Sequence, residues 1–115
     1  MKLLAPTLEI EAGATPVLIN EVFRKLPGQQ DPFAILSRDE LIYMQAVWNR
    51  DGFCLEYQEG SIDRHYWTKE NISVEDAIWA FQEYFAGRDG WPQQFEFEKK
   101  DIRGFWRRLT LLAES

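Results

Sequence analysis

Residues 41–67 read LIYMQAVWNRDGFCLEYQEGSIDRHYW, and this stretch decides the fold. Asp51-Gly52 and Glu59-Gly60 each suit a two-residue hairpin turn, where the backbone needs φ > 0. Pivoting on Asp51-Gly52 sets Trp48 opposite Leu55 and Ala46 opposite Tyr57. Pivoting on Glu59-Gly60 sets Tyr57 opposite Ile62, Leu55 opposite Arg64 and Phe53 opposite Tyr66. Successive side chains on a strand point to opposite faces, and directly paired residues share a face. One face therefore collects Ile42, Met44, Ala46, Trp48, Phe53, Leu55, Tyr57, Ile62 and Tyr66, with Arg64 its only charge. The other collects Tyr43, Gln45, Val47, Cys54, Glu56, Gln58, Asp63, His65 and Trp67. The pattern predicts a one-sided antiparallel sheet with a mixed polar and aromatic outer surface.

The flanking sequence supplies the cover for the apolar face. Ser73 reads as a helix N-cap with Asp76 three residues on as its capping-box partner and Ile72 ahead as a staple. Val74, Ala77, Ile78, Phe81 and Phe85 make one apolar stripe, and Gly87 sits where a left-handed C-terminal residue belongs. This helix, near 74–86, is the expected lid. Upstream, Thr15-Pro16 starts a helix near 16–26 carrying Ile19, Val22, Phe23 and Leu26, and Pro27-Gly28 stops it. Thr7–Glu11 and Phe33–Leu36 read as further short strands. Phe95 and Phe97, alternating with Glu96 and Glu98, read as a last strand. Asp101 is placed to cap a final helix through Ile102, Phe105, Trp106 and Leu109, against which a strand near Trp106–Leu111 competes because of Gly104. The predicted architecture is a single α+β domain over residues 1–115. Its mainly antiparallel sheet of four to five strands is packed on one face by the 74–86 helix, with flanking N- and C-terminal helices.

Composition narrows the function classes. A chain of 115 residues, 45% hydrophobic and 15% aromatic, can bury a core without staples. The net charge of −6 repels phosphate backbones and argues against nucleic acid. Residues 1–98 hold 8 basic and 17 acidic side chains, a net of −9, whereas residues 99–115 hold 5 and 2, a net of +3. The plainer reading of that basic tail is a solvated helix face. The single cysteine, Cys54, forbids an internal disulfide and suits a reducing compartment. The apolar run at the N-terminus is too short for a signal peptide, and no stretch approaches a membrane span, so a cytoplasmic protein is expected.

No motif for catalysis, metal or phosphate stands out. The register above puts Cys54 opposite His65, with Glu56 or Asp63 to orient the imidazole, the outline of a thiol nucleophile and its base. A mid-strand residue on an open sheet excludes water poorly, so a half-buried Cys beside a surface His is the plainer reading. Glu56 and Asp63, also set opposite each other, read as an acidic patch rather than an acid–base pair. One His and one Cys give no zinc set, and the glycines fall at turns and caps without a phosphate-binding pattern. No cofactor and no metal are expected. The remaining feature is the outer face. Tyr and Trp dominate interface energetics, and Gln45, Glu56, Gln58 and Asp63 would be left unpaired in a dry interior. Tyr43, Gln45, Glu56, Asp63, His65 and Trp67 are therefore the candidate partner-binding residues. An acidic chain favours a basic protein partner, and a second copy of the chain could use the same face.

Tyr43-Met44-Gln45, Asp51-Gly52-Phe53, Leu55-Glu56-Tyr57, His65-Tyr66 and the helix end Tyr84-Phe85-Ala86-Gly87 resemble a group of small bacterial α+β proteins. In general style these are similar to the immunity proteins of bacterial toxin systems. The resemblance covers residues 33–98 and rests on turn and core positions. It implies a compact acidic cytosolic domain that binds and blocks a toxin, and it brings no assigned functional residue.

Overall fold

A computed structural model describes residues 1–6, 12–30 and 32–101. In chain order the elements are β1 (Lys2–Leu4), β2 (Ala12–Gly13), α1 (Pro16–Lys25), β3 (Phe33–Asp39), β4 (Ile42–Trp48), β5 (Phe53–Glu59), a 3₁₀ turn (Ile62–Arg64), β6 (His65–Thr68), α2 (Val74–Phe85), α3 (Trp91–Gln94) and β7 (Phe97–Lys99). The described strands form one sheet in the order β2-β1-β3-β4-β5-β6-β7, and every neighbouring pair is antiparallel. The molecule is α+β, with a sheet of seven strands where four to five were expected. The strands not expected are β1 and β2, pieces of three and two residues too short to show an alternation, whereas β7 overlaps the last strand expected at Phe95–Glu98.

Both longer helices cover the same face. Thr15 Oγ1 accepts from the Leu18 amide at 3.1 Å at the start of α1. Ser73 Oγ accepts from the Asp76 amide at 3.1 Å at the start of α2. Phe23 of α1 meets Phe53 of the sheet edge-on at 5.2 Å and Phe81 of α2 at 4.6 Å, so one ring links the sheet and both helices. Leu3, Ala34, Leu36, Met44, Ala46, Phe53 and Leu55 line the sheet side of this core and are fully buried. The first helix thus occupies the span expected for it, but it follows two strands in the chain instead of flanking the sheet. The expected strand at Thr7–Glu11 and the C-terminal helix lie outside the described residues.

Both hairpin registers differ from the sequence-based ones. Trp48 pairs with Phe53 and Ala46 with Leu55, so the β4–β5 connection is four residues long, not two. Its left-handed residue is Arg50 (φ 56°), not Gly52. Gly52 is needed for space: a Cβ there would lie 2.6 Å from the Ile72 carbonyl oxygen. That carbonyl accepts from the Phe53 amide, and the Ile72 amide returns the bond to Phe53, both at 2.8 Å. The pinned Phe53 fixes where β5 begins. On the other side Tyr57 pairs with Tyr66, not Ile62. The 3₁₀ turn, closed by Arg64 N–H on the Ser61 carbonyl at 3.0 Å, absorbs the residues assigned to a tight turn. Ile62 and Arg64 therefore leave the core face.

The slips are two residues at the first hairpin and four at the second. Even slips preserve the face of every side chain, so the strand residues divide as expected while their partners change. Trp91, expected in a loop, is buried in α3 and meets Tyr57 edge-on at 4.8 Å. Among the described residues no helix is long and apolar enough to cross a membrane.

Candidate functional site

The register orders the outer face into transverse rows. One row runs Ser37, Tyr43, Gln58, His65, and Lys100 follows, its backbone N–H donating to the His65 carbonyl at 2.9 Å. The next runs Ile35, Gln45, Glu56, Trp67, Glu98. Tyr43, Gln45, Glu56, His65 and Trp67 thus stand together. Asp63 does not join them, because it lies in the 3₁₀ turn at the end of the sheet.

Within these rows the side chains form a continuous polar chain. His65 Nε2 lies 2.8 Å from Glu56 Oε2, and Nδ1 lies 3.1 Å from Gln58 Oε1. Gln58 Oε1 also accepts from the Tyr43 hydroxyl at 3.4 Å, while its amide nitrogen donates to the Leu41 carbonyl at 3.4 Å. Lys100 Nζ donates to Glu56 Oε1 at 3.1 Å and sits 4.4 Å from the centre of the Trp67 ring. The Trp67 indole donates to Glu98 at 2.9 Å. His65 and Gln58 are each only 3% exposed, so the histidine expected at the surface is buried, with both ring nitrogens engaged.

The electrostatics follow from these contacts. Burial pushes the Glu56 carboxyl up, but hydrogen bonds from His65 and Lys100 and the charge of Lys100 outweigh it and hold the carboxyl below its ordinary value. Glu56 is thus a neutralised carboxylate, not the exposed acid of the sequence reading. Burial and the Glu56 charge raise the Tyr43 phenol. The same two causes, in the same order, raise the Cys54 thiol above its ordinary value.

The proposed pairings across this face are overturned. Cys54 pairs with Val47 and His65 with Gln58. The four-residue separation of Cys54 and Gln58 along β5 puts roughly 13 Å of strand between the thiol and the imidazole row. Glu56 lies opposite Trp67, and Asp63 is outside the ladder. A thiol raised by burial and remote from the imidazole is a poor nucleophile. Among the described residues no three His, Cys, Asp or Glu side chains come together as a metal site.

Beside the polar chain the outer face is concave. A depression of about 850 Å³ lies over β1, β3 and β4, with Leu4, Ile35 and Ser37 on its floor, Tyr43 and Gln45 along one wall, and the charged side chains Lys2, Arg38, Asp39 and Glu40 also lining it. It lies on the opposite side of the sheet from the helices. Reasoning from sequence alone missed Gln58 and Lys100 as members of the network and Leu4, Ile35 and Ser37 as members of the depression. Strand parity places Gln58 on this face, but only the true register sets its amide between Tyr43 and His65. Compared with known proteins, the chain matches no family model, no curated protein and no solved structure.

Proposed function

We propose that this chain is a non-enzymatic, cytoplasmic protein-binding module of the immunity or antitoxin kind, which blocks a basic partner by covering it with the outer sheet face. The depression walled by Tyr43 and Gln45 carries the reading. It offers apolar floor, aromatic wall and amide hydrogen-bonding groups in one concave place, the mixture found at the centre of protein interfaces. The attraction for a basic partner comes from the net charge of −6 on the chain, because in the depression Asp39 and Glu40 are offset by Lys2 and Arg38, and Glu56 is already neutralised. Trp67, with its ring under Lys100 and its indole on Glu98, contributes at the margin.

Tagged wild type and a Tyr43→Ser/Gln45→Ala variant are compared in pull-downs from cells of the source organism. A stoichiometric basic protein held by wild type and released by the variant is the expected result. Equal capture by both, with the variant folded, counts against this face. The volume of the depression favours a second reading, a small-ligand site, because pockets of ~300–1,000 Å³ take drug-sized molecules. A compound that raises the melting temperature of wild type but not of the variant would support that reading.

A further inference from the structure

We infer that Gln58 and His65 are positioning residues that hold the Tyr43 ring in place as the wall of the depression. The inference rests on the reading of that depression as a binding surface, yet its geometry is complete within the isolated chain. Gln58 and His65 are 3% exposed and present almost nothing to a partner. Each is fixed from two sides. The Gln58 amide spans the Leu41 carbonyl and His65 Nδ1, and the imidazole spans Gln58 and Glu56, which Lys100 holds in turn. The chain ends on one half-buried group, the Tyr43 hydroxyl on Gln58 Oε1.

Stability alone does not call for such a row, since buried polar and ionic groups replaced by apolar ones of the same shape often leave a fold as stable or more so. What the row does supply is a hydrogen-bonded end point for the half-buried Tyr43 ring at the edge of the depression. A ring already fixed loses less conformational freedom when a partner covers it.

The test is the aromatic ¹H–¹³C NMR spectrum of the isolated chain, with no partner present. In Gln58→Met, which keeps the volume and removes all three contacts of the amide, the Tyr43 ring signals should shift and sharpen. Those of Phe23, Phe53 and Phe81 on the other face should stay in place. Unchanged Tyr43 signals in a folded Gln58→Met overturn the inference. If Gln58→Met fails to fold, Lys100→Met at the far end of the chain replaces it. Displaced His65 and Tyr43 signals then support the inference, and a change confined to Trp67 refutes it. Because no partner is used, a failed pull-down and a failed positioning role are separate results.

Discussion

Gly52 and Gly60 lie in adjacent connections and are glycines for different reasons. At Gly60 the backbone has φ 96° with open space around it, so a side chain is opposed by conformation alone. At Gly52 the conformation is ordinary, but a Cβ would press on the Ile72 carbonyl that anchors β5. Gly60→Ala should cost about 1–2 kcal/mol, the left-handed penalty of an L-residue. Gly52→Ala should cost about 1–3 kcal/mol by overpacking and should also weaken the Phe53–Ile72 bridge. Urea unfolding gives both losses, and only Gly52→Ala should deprotect the Phe53 amide in hydrogen exchange. Equal protection of that amide in the two variants would contradict the distinction. Cys54 provides a second check at this scale. With the thiol raised by burial and by Glu56, folded protein at neutral pH should alkylate with iodoacetamide more slowly than the urea-unfolded chain, which exposes an ordinary thiol. A faster folded reaction would reopen thiol chemistry.

Elements with local instructions were legible in the sequence, and their pairings were not. Ser73 and Thr15 cap the helices that their side chains announce, and Gly87 ends α2 with φ 75°. Removing the cap with Ser73→Ala should lower stability by about 1 kcal/mol. A thermal-melt loss below the noise would mean that packing of Phe81 and Ala77 alone holds the first turn. Hairpin pairing depends instead on contacts far along the chain. Asp51-Gly52 looks like a two-residue turn, but Ile72, twenty residues later, decides the register by bonding Phe53. Glu59-Gly60 looks like another, but the chain takes a 3₁₀ turn first, and Arg64 swings back to Glu59 at 3.0 Å. Side-chain alternation survived both errors because each slip was even. The outer face was therefore correct in membership for the strand residues but not for Asp63, which the 3₁₀ turn removes, and the Cys54–His65 and Glu56–Asp63 pairs read across it were wrong. The depression was invisible in sequence because it needs β1, whose three residues carry no readable period.

At the scale of the molecule, the sheet has two unlike sides. One is dry and held by Phe23, Phe53 and Phe81. The other is laced by hydrogen bonds and charge. Glu56 connects this difference to pH. Its carboxyl is depressed in the folded state, so the unfolded chain binds the proton more readily. The stabilisation it gives is complete above the unfolded value and is lost as pH falls through the lower folded one. Stability should therefore decline on the acid side, and Glu56→Gln should flatten that part of the curve in urea melts taken at successive pH values. An unaltered acid slope in Glu56→Gln would assign the decline to other carboxylates.

The three-residue strand β7 has a consequence of its own. Its ladder to β6 is short, and the clasp beside it, Lys100 between Glu56 and the Trp67 ring, is made of charge. Charge partnerships weaken with protons and with salt, whereas the packing of Phe23 and Phe81 is indifferent to the first and strengthened by many forms of the second. In acid of moderate salt content the Lys100 end of that seam should loosen, while Phe97, edge-on to Tyr57 at 4.9 Å, keeps the strand against the core. How firmly the last strand is closed would then depend on the solvent as well as on the chain.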